Sequence, residues 1–258
     1  MYPYFDIFDR KIGTYGLCMI LGFLLVGVLA LRRGKPQGLC AEDIFIVAAT
    51  ALGGALVVGG SLYIAVTYSF SEILAFIRQG DFRFLSGGIV FYGGLIGGVL
   101  GALLGIRMAK SDLHTVEHCV VPFIPLGHAV GRIGCVMAGC CYGFEYEGPF
   151  ALHYPNAVTG VPADQGYFPV QLLEALLNAG ICILLLFLGK RVKRKFGLLA
   201  WYLVFYAITR FFLEMLRGDT IRGVWNGLST SQYISIAMLI LCSIRLLILH
   251  LQPRTKVN

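Results

Sequence analysis

Two short stretches set ionisable side chains at helical spacing inside otherwise apolar sequence. GHAVGRIGCVMAGCCYG, residues 127–143, places His128 and Arg132 four apart, and YAITRFFLEMLRGD, residues 206–219, places Arg210, Glu214 and Arg217 at i, i+4 and i+7. Each set falls on one face of a helix. A guanidinium is permanently charged and costly near hydrocarbon, so Arg132 needs a partner, a water-filled cavity or an anionic ligand. Two arginines joined by neutral donors such as Tyr15 and Tyr92 suit a phosphate, which guanidinium binds through two parallel hydrogen bonds. Simpler readings exist for the same residues: a structural ion pair for Arg210 and Glu214, and snorkelling to headgroups for Arg132 and Arg217.

The surroundings are those of a membrane protein. Of 258 residues, 57% are hydrophobic and 14% charged, with a mean hydropathy of +0.77. A net charge of +7 raises nucleic-acid binding, but the basic residues fall in short clusters between apolar runs rather than along one solvated face, so no nucleic-acid partner is expected. The opening MYPYFDIFDRKIG lacks the basic start and small-residue cleavage site of a signal peptide, and the first span is expected to be retained.

A hydrocarbon core of about 30 Å needs about 20 apolar residues as helix. Seven segments approach that length: 12–31, 44–67, 88–106, 116–133, 170–188, 196–216 and 229–249. The fold class read from them is an all-α integral membrane protein, a bundle of seven transmembrane helices forming a single domain over 1–258. Basic clusters alternate between the spans: Arg32, Arg33 and Lys35, then Arg107 and Lys110, then Lys190 to Lys195, then Arg254 and Lys256. The positive-inside rule therefore puts the N-terminus outside and the C-terminus in the cytoplasm. On that topology Tyr15, Tyr92, His128, Arg132, Glu174, Arg210, Glu214 and Arg217 all fall in the outer half of the membrane. Two long connections, 68–87 and 135–168, lie outside as well, and loops of that size are often functional.

In GGIVFYGGLIGGVLGALLG, residues 87–105, a stripe of Gly93, Gly97, Gly101 and Gly105 predicts close packing against another helix. Bare backbone at Gly93 and Gly94 would also let a headgroup approach. The eight cysteines include no CxxC pair, and most read as small apolar fillers. GCCYG admits a redox or metal reading, but adjacent cysteines are poor metal-ligand spacing and no histidine cluster accompanies them. Packing or a disulfide is the expectation there, with no metal.

The strings SGGIVFYGGLIGG, LGHAVGRIGCVMAGCCYG, YFPVQLLEALLN, YAITRFFLEMLRGD and LSTSQYISI, in that order and together with TYG at 14–16, resemble the signature segments of the bacterial prolipoprotein diacylglyceryl transferase family over nearly the whole chain. The resemblance implies a multi-pass enzyme of the bacterial cytoplasmic (inner) membrane with seven helices. It would transfer the diacylglyceryl group of phosphatidylglycerol to the lipobox cysteine thiol of a preprolipoprotein, forming a thioether and releasing glycerol phosphate. Its partners would be that lipid, that lipobox segment and the bilayer, with no cofactor and no obligate second subunit. By motif, Arg132 matches the phosphate-binding arginine of the GRxG segment and Arg217 the arginine after the sixth helix. Tyr15 matches the first-helix tyrosine and Glu174 the fifth-helix glutamate.

The chain departs from the family pattern at three polar positions. Tyr92 stands where HGGLIG has the histidine often proposed as base, Cys135 stands where asparagine follows GRxG, and Cys140 stands near a usual glutamate. His128, one turn before Arg132, is the candidate replacement base. A transferase acting on another acceptor, and a phospholipid-binding protein without catalysis, are the alternatives that keep the same arginines.

Overall fold

A long apolar run has no solvent to satisfy its backbone N–H and C=O groups, so it bonds them internally as helix. The structure is a computed structural model that describes residues 2–7, 10–81, 90–218 and 224–251. Its helices are α1 (Thr14–Gly34), α2 (Ala41–Thr67), α3 (Phe70–Gln79), α4 (Phe91–Met108), α5 (Leu113–Val120), α6 (Ile124–Ala138), α7 (Val170–Leu188), α8 (Gly197–Glu214) and α9 (Thr230–Leu251). An antiparallel hairpin of β1 (Tyr4–Ile7) and β2 (Arg10–Gly13), pairing Tyr4 with Gly13, leads into α1. A second, shorter pair, β3 (Val224–Trp225) with β4 (Leu228–Ser229), leads into α9.

Among the described residues, six helical stretches are long and apolar enough to cross a membrane: Thr14–Gln37, Ala41–Thr67, Leu113–Ala138, Val170–Leu188, Gly197–Glu214 and Thr230–Leu251. Their outward side chains, such as Leu176, Phe212 and Leu241, stay exposed, as lipid-facing residues do. The chain is an integral membrane protein of helices. The third of the seven expected spans corresponds to the shorter apolar helix Gly93–Met108. The start of that span at 88 lies outside the described residues.

Two elements differ from the sequence reading. The connection after α2, expected as a loop over 68–87, contains α3. Its start is a capping box: the Glu72 N–H donates to Ser69 Oγ at 3.4 Å and the Ser69 N–H donates to the Glu72 carboxylate at 2.8 Å, while Gly80, at φ 67°, ends the helix. The fourth span is not one helix. Pro122 and Pro125 lack the N–H that a continuous helix requires, and a 3-10 turn over Val121–Phe123 joins α5 to α6.

The chain divides into two compact units. In residues 31–116, α2 and α4 meet along the glycine stripe. Gly93 lies against Gly59 and Val58, Gly97 against Gly54, Gly101 against Thr50 and Ala51, and Gly105 against Val47. A Cβ at Gly93 would come within 2.8 Å of the Gly59 Cα, nearer than real contacts allow. The stripe is thus a packing surface, and its partner is α2.

The other unit holds residues 1–30 and 117–258. Here α1 crosses α6 where Gly22 faces Gly127 and Cys18 faces Gly134, and α6, α7, α8 and α9 pack in succession. Val121, Ile181, Leu185, Leu198 and Tyr202 form its apolar centre. Glu117 on α5, 5% exposed, caps the start of α8: its carboxylate accepts from the Phe196 N–H at 2.6 Å and the Leu199 N–H at 2.9 Å. A carboxylate there answers both the orphan donors and the positive end of the helix dipole.

Gly97→Leu should disrupt the α2–α4 contact, costing about 2 kcal/mol and lowering the melting temperature in detergent by several degrees. Gly53→Leu, where nothing lies within 4 Å of a Cβ, is the matched control. Equal melting temperatures for the two variants would show that the stripe carries no packing energy.

Candidate active site

Ion pairs placed by three consecutive helices organise the larger unit. On α6, His128, Arg132 and Cys135 share one face at i, i+4 and i+7. Arg132 and Glu174 of α7 meet with an N–O distance of 2.8 Å, their side chains 13% and 3% exposed. His128 Nε2 lies 3.6 Å from the same carboxylate oxygen. Of the three solutions open to a membrane arginine, the structure supplies a partner. The Arg132 Nε is nevertheless buried with no hydrogen-bond partner, as is the Asn178 Oδ1 one turn below Glu174. The Asn178 amide nitrogen is used, donating to the Glu174 backbone oxygen at 2.9 Å.

On α8, Tyr206, Arg210 and Glu214 recur every four residues along one face. Arg210 pairs with Glu214 at 2.5 Å and donates to the Ser231 hydroxyl of α9 at 3.2 Å. The expected structural ion pair at these residues is therefore present. The Tyr206 ring centroid lies 5.3 Å from that of His128, tying α8 to the Arg132 face of α6. Tyr15 on α1 is nearly half exposed; Arg132 and Cys135 both act on it electrostatically.

Arg217 is positioned by backbone. The Phe144 N–H donates to Leu216 O at 3.1 Å and the Gly218 N–H donates to Tyr142 O at 3.2 Å, so the segment after α6 runs antiparallel to the segment after α8. Gly143 fits between Phe168 and Leu216, where a Cβ would lie 3.0 Å from Leu216 O. This pairing sets Arg217 on Cys141, which it hydrogen-bonds. Hydrogen bonds from Cys135 and Cys140, then the Arg217 charge, hold the Cys141 thiol well below its ordinary range.

The long connection between α6 and α7 is folded rather than open. Tyr154, Val161 and Tyr167 form a small core, and Tyr142 packs on it. Gln171, buried at the start of α7, donates to Cys140 O at 2.9 Å and to the Tyr154 hydroxyl at 3.0 Å, fixing the cysteine segment to the helix. No disulfide joins any of the eight cysteines. The sulfurs of Cys135, Cys140 and Cys141 instead lie within 4.8 Å of one another, so these three are a cluster and not scattered fillers.

Arg132, Glu174, His128, Arg217 and Tyr15 thus belong to one unit. Gly93, buried against α2, and Gly94 belong to the other, and the Tyr92 side chain lies outside the described residues. Sequence reasoning missed Tyr206, Ser231, Asn178 and Gln171. Tyr206 was within reach, since it continues the Arg210–Glu214 spacing by one more turn.

A family model described as prolipoprotein diacylglyceryl transferase matches residues 3–248. The chain is 35% identical over 237 residues to the phosphatidylglycerol–prolipoprotein diacylglyceryl transferase 2 of Clostridium perfringens, covering 91% of this chain and 90% of that protein. It is 31% identical to the Clostridium tetani protein named phosphatidylglycerol–prolipoprotein diacylglyceryl transferase, over 92% of this chain and 93% of that one. A Bordetella bronchiseptica protein of that name is 32% identical, with 93% of each chain covered.

Glu174→Ala should strip Arg132 of its partner and destabilise the protein by about 3–5 kcal/mol. The double variant with Arg132→Ala should cost less than the two single losses summed, as measured by unfolding in detergent. Additive losses would mean that the pair is not coupled.

Proposed function

This chain belongs to the prolipoprotein diacylglyceryl transferase family, and on that premise we propose how its residues carry out that family's reaction. The chain is a transferase that moves the diacylglyceryl group of phosphatidylglycerol to the lipobox cysteine thiol of a preprolipoprotein. The observation that carries this reading is the match from residue 3 to 248, which takes in α6, α7 and α8 with Arg132, Glu174 and Arg217.

In the reaction, the lipobox sulfur attacks the glyceryl carbon that bears the phosphate. A C–S bond forms, the C–O bond breaks, and the electron pair leaves on oxygen as glycerol phosphate. Negative charge grows on that phosphate as the bond breaks, so fixed cations aimed at it lower the barrier. Arg132 and Arg217 take this role. The unpartnered Arg132 Nε supports it, because Glu174 engages the guanidinium on another edge and holds it in place. Glu174 is a positioning residue for both Arg132 and His128.

The sulfur's proton passes to His128 in this reading. The Glu174 carboxylate at 3.6 Å and the Tyr206 ring orient the imidazole, whose neutral ring offers one nitrogen as a proton acceptor. Tyr15 contributes a neutral donor to the phospholipid. Family motif alone assigns Tyr92, Gly93 and Gly94 to the lipid, and Tyr92 falls where the family carries its histidine.

We also read the two units as one catalytic domain of the bacterial cytoplasmic membrane, acting as a monomer. It has seven crossings, α4 being the third, with the N-terminus outside and the C-terminus in the cytoplasm. The alternation of basic clusters supports that orientation, since Arg107 and Lys110 follow α4.

The purified protein should label a synthetic lipobox peptide from radiolabelled phosphatidylglycerol. Arg132→Ala should reduce the rate by about 10²-fold or more. Absence of label with phosphatidylglycerol binding intact would overturn the acceptor and favour a retained lipid site with other chemistry. His128→Ala should lose about 10²–10⁴-fold if the imidazole takes the proton; full turnover in that variant would exclude it as the base.

A further inference from the structure

The chain reverses sharply at the end of α6. Gly139 at φ 69° closes the helix, the Cys140 N–H returning to Cys135 O at 3.1 Å, and Cys141 then adopts φ 60°. A left-handed cysteine is unusual, and such a conformation persists only where its surroundings enforce it. Enforcement comes from Gln171, which holds Cys140 O, and from the Tyr142–Phe144 pairing with Leu216–Gly218. The result is three sulfurs within 4.8 Å, Cys135 buried and the other two partly so.

We propose that Cys135, Cys140 and Cys141 form a three-thiolate receptor for a soft monovalent cation of the Cu(I) type. The donor set selects the ion. All three donors are sulfur, and thiolates favour soft metals. No histidine or carboxylate joins the group among the described residues. Zinc prefers four ligands in a structural site and would lack its fourth here, whereas a three-sulfur environment completes a trigonal Cu(I) site. Three thiolates around one monovalent cation carry an excess of two negative charges, and Arg217, already bonded to Cys141, lies on the cluster to offset them. Arg132, one turn before Cys135 on α6, adds to the positive field. Loading releases thiol protons and forms no covalent or redox product.

The test needs no transfer reaction, so it stands apart from the reading of function above. The full-length protein, reduced and held anaerobically in detergent, is titrated with Cu(I) against a chromogenic chelator of known affinity. One ion per chain should bind, with X-ray absorption showing three sulfur neighbours. Cys135→Ser, Cys140→Ser and Cys141→Ser should each weaken binding by more than ~100-fold, the upper end of what losing an outer-shell partner costs, while Cys40→Ser leaves it unchanged. In the unmodified chain, Cu(I) should also protect these three cysteines, and not Cys40, from alkylation read by mass spectrometry. Unchanged affinity in the three variants, nitrogen or oxygen neighbours at the metal, or equal alkylation with and without Cu(I) would overturn the site.

Discussion

The Glu174 carboxylate is the constraint around which the larger unit is arranged. A charge this deeply buried is tolerable only when opposite charge and hydrogen bonds surround it. Opposite charge comes from Arg132, with His128 beside it, both drawn from α6 onto α7, while Asn178 donates to the Glu174 backbone oxygen. Its geometry demands that α6 and α7 approach closely. Elsewhere on α6, Gly127 and Gly134 let α1 settle against the same helix. The carboxylate thus ties α7 to α6, and the glycines set the approach of α1.

The second ion pair works differently. Arg210 and Glu214 sit on one helix, so they neutralise each other without linking elements, and the link comes through Ser231 on α9. Arg217, the third arginine of the group, hydrogen-bonds Cys141 beyond the end of α6. That charge is held by a backbone ladder rather than by helix packing.

Much of this was legible in the sequence where a residue type left few physical options. A guanidinium amid apolar residues called for a partner, a cavity or an anionic ligand, and Arg132 has the partner; four glycines at a period of four pointed to a contact surface, and they meet α2. The Arg210–Glu214 pair followed from spacing alone. What was not legible depended on chain reversals. The thiol cluster arises from a left-handed Cys141 and from pairing with the sequence-distant segment Leu216–Gly218, neither of which leaves a periodic trace. Helix α3 was hidden because its capping box, Ser69 with Glu72, sits in a stretch too short and too polar to stand out as a span. The break in the fourth span was written in Pro122 and Pro125, but an apolar run through both prolines reads as continuous when hydropathy is averaged.

The Glu117 cap reaches beyond local stability. It joins α5 to the start of α8 across 79 residues, and Arg210 lies thirteen residues further along α8, about 20 Å at the helical rise. The azimuth at which α8 presents Tyr206, Arg210 and Glu214 is thereby set from its opposite end, as a key is turned from its bow. The Glu117 carboxylate therefore bears on the arginine-bearing face from the far end of the same helix.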